Sequence, residues 1–129
     1  AADPVYLKDG VALSGYDAVS YFTEARPVKG SAQFEHQWNG VRWRFASSAH
    51  LKAFPESPEK YAPQYGGYCA YGVSRNHTVP GDPEAWKIVN GRLYLNYDKS
   101  VRVLWEKELP DVIRQGDSHW PSVLTAPAP

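Results

Sequence analysis

The chain has no methionine and a single cysteine, Cys69, among its 129 residues. One thiol cannot close an internal disulfide, so the fold must hold without that staple, and a disulfide cycle would need a second molecule. Without methionine there is no thioether to serve as an axial ligand for copper. Net charge is missing as well: fourteen basic residues balance fourteen acidic ones, with no long run of either sign. No overall field draws the chain to nucleic acid or to an anionic membrane surface, and nucleic acid is not expected as a partner. No apolar stretch is long enough to cross a bilayer. There is no nucleophile elbow, no metalloprotease helix and no phosphate-cradling glycine loop, since Gly66-Gly67 stands without the rest of any nucleotide fingerprint. A binding protein is therefore expected rather than an enzyme.

What the chain does have is rings. Hydrophobic residues make up 43% and aromatic ones 14%, with five Trp and nine Tyr, a composition that predicts one globular domain with a core of large side chains. The domain is expected over residues 1–125, with Ala126-Pro127-Ala128-Pro129 as an untethered tail. The opening Ala1-Ala2-Asp3-Pro4 is what remains when a secretory leader is cut after a small residue, which predicts an exported protein.

Tyr65-Gly66-Gly67-Tyr68-Cys69-Ala70-Tyr71-Gly72 is the stretch that concentrates chemistry. Adjacent glycines open backbone angles closed to other residues, and tyrosines on either side would wall off whatever Cys69 faces. A thiolate is a soft-metal ligand and a nucleophile when its surroundings are electropositive. Otherwise Cys69 is a small buried apolar residue.

The flanking pattern predicts an α+β fold. Lys8-Asp9-Gly10 between Val5-Tyr6-Leu7 and Val11-Ala12-Leu13 reads as a small hairpin. A short helix follows, capped at Ser14 or Asp17, with Ala18, Tyr21 and Phe22 on one face. Asn39-Gly40 closes a hairpin in which Phe34 faces Phe45, His36 faces Trp43 and Trp38 faces Val41. Glu35–Arg44 and Gln37–Arg42 lie on its other side. His36 thus falls on the buried side. Ser47-Ser48 caps a helix that turns Leu51 and Phe54 inward and carries His50 in its first turn, and Ser57-Pro58 restarts a second. Residues 73–83 read as a loop carrying His77. Asn90-Gly91 closes another hairpin, with Trp86 and Ile88 sharing a face with Leu93 and Leu95, and the two hairpins are expected to form one antiparallel sheet. Asp98 caps a helix with Val101, Leu104 and Trp105 as its stripe and Arg102–Glu106 outside. A last helix turns Val112, Ile113 and Trp120 inward, with His119 in a structural role. No internal repeat shows beyond this shared hairpin pattern.

The segment Phe45-Ala46-Ser47-Ser48-Ala49-His50-Leu51-Lys52-Ala53-Phe54, followed by Pro58-Glu59-Lys60-Tyr61, resembles the core of the YHS domain. That family is small, metal-associated and treble-clef-like, and occurs in copper transporters and other metal-handling proteins. Gly15-Tyr16-Asp17-Ala18-Val19-Ser20-Tyr21-Phe22, Tyr65-Gly66-Gly67-Tyr68-Cys69-Ala70, Asp82-Pro83-Glu84-Ala85-Trp86 and Leu93-Tyr94-Leu95-Asn96-Tyr97 narrow the likeness. Over nearly the whole chain it is similar to the exported bacterial YHS domain-containing (seleno)proteins. The resemblance implies a YHS core with N- and C-terminal extensions, a periplasmic location and metal handling, with copper as the metal. It departs at the two cysteines that bracket the helix start in metal-binding members, replaced here by Ala46 and His50. In the selenoprotein members selenocysteine stands where this chain has Cys69, which implies that a soft chalcogen is useful there.

Three functions follow as expectations. The first is a copper site of Cys69 with His50, and His77 or His36 as further ligands; a closed zinc site would need four ligands, which the spacing does not offer. The second is a reactive thiol at Cys69. The third is a non-catalytic module in which Tyr65, Tyr68, Tyr71, Gly66 and Gly67 line a recess for a small ligand. Expected partners are a metal ion, another exported protein or a second copy of the chain.

Overall fold

The structure is a computed structural model and describes residues 1–125; the expected tail at 126–129 lies outside the described residues. The chain opens with two short strands, β1 (Leu7–Lys8) and β2 (Val11–Ala12), turned by Asp9-Gly10. Leu13, Ser14 and Gly15 then run left-handed (φ 54°, 52° and 84°) into the one-turn helix α1 (Ser20–Thr23). The hairpin of β3 (Ser31–Trp38) and β4 (Val41–Phe45) pairs His36 with Trp43 and Trp38 with Val41. Asn39 and Gly40 both sit at positive φ (56° and 78°), as a two-residue turn between twisted strands requires. Ser47 caps α2 (Ser48–Glu56) through its side chain, and Pro58 starts α3 (Pro58–Tyr61).

The second half then runs through the same sequence of parts. Tyr65, Gly66 and Gly67 run left-handed (φ 57°, 62° and 84°) into α4 (Ala70–Ser74). The hairpin β5 (Asp82–Val89) and β6 (Arg92–Asn96) turns at Asn90-Gly91, Asp98 caps α5 (Lys99–Lys107), and α6 (Asp111–His119) follows. Gly30 and Gly81, Asn39 and Asn90, Ser47 and Asp98, Phe54 and Trp105 all stand 51 positions apart (30 to 81, 39 to 90, 47 to 98, 54 to 105). The bulges correspond too, between Ser31 and Glu35 in one hairpin and between Asp82 and Trp86 in the other. The chain is thus a structural repeat, contrary to the expectation from sequence. Repeats are usually found by residue identity, and here most matched positions differ in chemistry.

Each unit has its own core. Phe54 centres the first, with Trp43 and Phe45 of β4 against it at ring-centroid distances of 5.1 Å each. Trp105 holds the matching place in the second, against Tyr94 at 5.2 Å. The strands differ in their other faces. On β4 that face carries Arg42 and Arg44, the latter paired with Glu35 at 2.6 Å. On β6 it carries Leu93 and Leu95, fully buried in the first unit's core. Period-two alternation sends Leu93 and Leu95 one way and Tyr94 and Asn96 the other, so β6 forms a shared layer between the cores.

That placement corrects the expected single sheet. The first hairpin joins β1 and β2 in a mixed four-stranded sheet, ordered β1-β2-β4-β3 with β2 parallel to β4, while β5 and β6 form a separate pair. A strand buried on both faces serves as a layer against the neighbouring core and does not extend its sheet. Three local expectations also change. The bulge puts Ser31, not Phe34, opposite Phe45. Leu104 is 47% exposed, because the apolar contact of α5 narrows to Trp105 and half-buried Val101. The ends of the expected 73–83 loop belong to α4 and β5.

Candidate functional site

Cys69 is buried, at 1% exposure, in front of α4. Its Sγ accepts from Gly72 N–H at 3.4 Å and donates to Asn96 Oδ1 at 3.6 Å, and Asn96 Oδ1 also accepts from Tyr71 N–H at 3.1 Å. Burial pushes the thiol up, and this outweighs the backbone amides of Gly72, Tyr97 and Tyr71, which face the sulfur and favour its anion. The thiol is held neutral, so attack by the sulfur is slow compared with that of an exposed thiolate.

His50 has a different set of partners. Its Nδ1 donates to Asp17 Oδ2 at 2.6 Å, and its Nε2 lies 3.4 Å from Thr23 Oγ1 and 3.7 Å from Glu24 Oε2. Asp17 is fully buried. Its Oδ1 accepts from the amides of Val19 and Ser20 at 2.9 and 3.3 Å, and Oδ2 also takes Ala46 N–H at 2.9 Å. A carboxylate that accepts this many bonds has its lone pairs occupied and fixes the tautomer of its imidazole. The cap residue Asp17 is legible in the sequence, but its histidine partner is not.

The donor set does not fit the expected copper centre. Hydrogen-bond donors and one amide oxygen surround Sγ, and no imidazole is among its partners. His36 packs against Phe54 at 6.4 Å between ring centroids, and His77 is exposed, its N–H donating to the Gly72 carbonyl. Among the described residues no three His, Cys, Asp or Glu side chains converge on one point.

The tyrosines of the central stretch separate. Tyr71 leaves it, with its hydroxyl donating to Glu108 and its ring under Arg75. Tyr68 stacks at a tilt on Tyr6 and donates to the Asp3 carbonyl at 2.7 Å. Gly67 is buried against Pro63, whereas Gly66 lies against the Pro4 carbonyl, where any side chain would overlap it. Tyr65 and Gly66 line a cleft of about 460 Å³. The Tyr65 hydroxyl donates to Asp117 Oδ1 at 2.9 Å, and burial holds the phenol far above its ordinary range.

The cleft's remaining walls come from both ends of the chain. Trp38 and Trp43 of the first hairpin, Trp120 after α6, and Pro4, Pro63 and Pro121 supply apolar faces, with Asn39 and Gln64 as amides. Among the described residues Glu59 is the only charged one that lines it, and no basic side chain does. In volume and character this matches a small-ligand site. Sequence reasoning assigned Trp38 and Trp120 to the core and gave Glu59 no role, because adjacency across the fold has no short-range signal. Comparison with protein-family models, with curated proteins and with solved structures finds no match to this chain.

Proposed function

We propose that the chain is a YHS-type binding module whose aromatic cleft holds a flat organic cation. One observation carries the reading: a cleft walled by indole, phenol and proline rings contains, among the described residues, one carboxylate and no opposing basic side chain. Ring faces attract a desolvated cation, and Trp does so best, by about 0.5–2 kcal/mol per contact. The Glu59 carboxylate adds charge complementarity that an anionic or neutral ligand would not use. Tyr65 is fixed by Asp117, so the wall is in place before a ligand arrives.

Titration with phenyltrimethylammonium, read by tryptophan fluorescence, tests this. A saturable change is expected, with benzyl alcohol giving a much weaker one. Trp120→Ala and Glu59→Gln should each weaken binding by about fivefold. The reading fails if the wild-type signal does not saturate, or if both variants bind as the wild type does.

A further inference from the structure

Two buried cap positions, Asp17 and Cys69, correspond across the repeat at an offset of 52 (17 to 69). That is one more than the offset of the hairpins, because the loop from cap to carbonyl partner is one residue shorter in the second unit (17 to 28 against 69 to 79). Asp17 gives its own N–H to the Val28 carbonyl at 2.8 Å, and its carboxylate accepts the amides of Val19, Ser20 and Ala46. Cys69 gives its N–H to the Val79 carbonyl at 2.9 Å, and the amides of Tyr71, Gly72 and Tyr97 face its sulfur. The carbonyl partners match (28 to 79), and so do the amides that arrive from beyond the strand end (46 to 97). The second site keeps the converging donors of an anion cradle, yet the side chain within it is a neutral thiol. One more donor is left over. Asn96 is fully buried, touches Sγ through Oδ1, and has no partner for Nδ2 among the described residues. A buried polar group in that state calls for an explanation.

We propose that Cys69 is an oxidation site for hydrogen peroxide, and that the sulfinate it forms takes up in the second unit the place of the Asp17 carboxylate in the first. Both side chains are one methylene carrying an anion with two acceptor oxygens. In the first step sulfur attacks a peroxide oxygen: an S–O bond forms, the O–O bond breaks, the thiol proton is lost and water leaves, giving the sulfenic acid. A second molecule of hydrogen peroxide repeats the step on the sulfenic sulfur, and the sulfinic acid releases its proton to solvent. Each step oxidises sulfur by two electrons and reduces one peroxide to water. The Tyr71, Gly72 and Tyr97 amides then donate to the new oxygens. A half-turn of the Asn96 amide brings Nδ2 to where Oδ1 accepted the thiol proton. Tyr97, Pro80 and Gly81, neighbours of the Cys69 backbone contacts, line a polar recess of about 650 Å³, from which a peroxide would have to pass to the buried sulfur.

The folded protein is treated with hydrogen peroxide, and the mass of the Cys69 peptide and the melting temperature are read. A gain of two oxygen atoms at Cys69 is expected, with melting at or above that of the reduced protein. Cys69→Asp places a carboxylate in the cradle permanently and should fold, melting above Cys69→Ala. The proposal is overturned if folded Cys69 gains no oxygen or stops at one under conditions that carry free cysteine further. It is equally overturned if either the oxidised protein or Cys69→Asp melts below Cys69→Ala.

Discussion

Asp17 ties three segments together through two oxygens: the turn into α1, the residue after β4, and the imidazole of α2. Removing its carboxylate leaves three amide N–H groups and an imidazole N–H without acceptors inside the fold. Asp17→Ala should therefore lower the unfolding free energy by about 3 kcal/mol, measured by urea denaturation. Acid–base behaviour at residue scale points to high pH. Burial raises the Tyr21 and Tyr65 phenols above their ordinary 10.0 and the Cys69 thiol above its ordinary 9.0. A group whose folded pKa is raised contributes stability that is complete below its unfolded value and is lost as pH climbs from there toward the folded one. Melting temperature should be flat near neutral pH and fall steeply above about pH 10, and thermal melts across that range check it. The sequence shows which residues can cap or titrate. It does not show that His50 lies on Asp17, because 33 positions separate them and only the fold brings them together.

Short elements were the most legible. The Asn-Gly turns with alternating strands give the pairings His36–Trp43 and Ile88–Leu93 directly, since the two-residue turn fixes register and alternation fixes the face. The misplaced Phe34 reflects a bulge, which carries no reliable local sequence mark. Gly81 was passed over for a similar reason: its constraint lies in the Gly67 carbonyl and the Leu95 side chain, which a Cβ at position 81 would overlap. Gly91 is the reverse case, at φ +75° with open space around it. Gly91→Ala should cost about 1 kcal/mol in backbone strain, and Gly81→Ala about 3 kcal/mol through forced displacement of packed backbone. Chemical denaturation of the two variants side by side checks the order.

At the scale of the whole molecule the repeat was hidden, because matched positions changed chemistry while keeping their task. Ser47 and Asp98 both cap a helix, Phe54 and Trp105 both centre a core, and Asp17 and Cys69 both receive converging amides. The copper expectation likewise rested on the types of side chain present, whereas a metal site depends on which of them converge. The first core is completed by Leu93 and Leu95 from the second unit. A fragment of residues 1–62 should therefore be unfolded by circular dichroism, despite holding a full set of elements. The same shared strand rules out a molecule melted on one side only. Stripping β6 from either core uncovers the other, so calorimetry should record a single endotherm, and a protease should find either intact chains or small peptides.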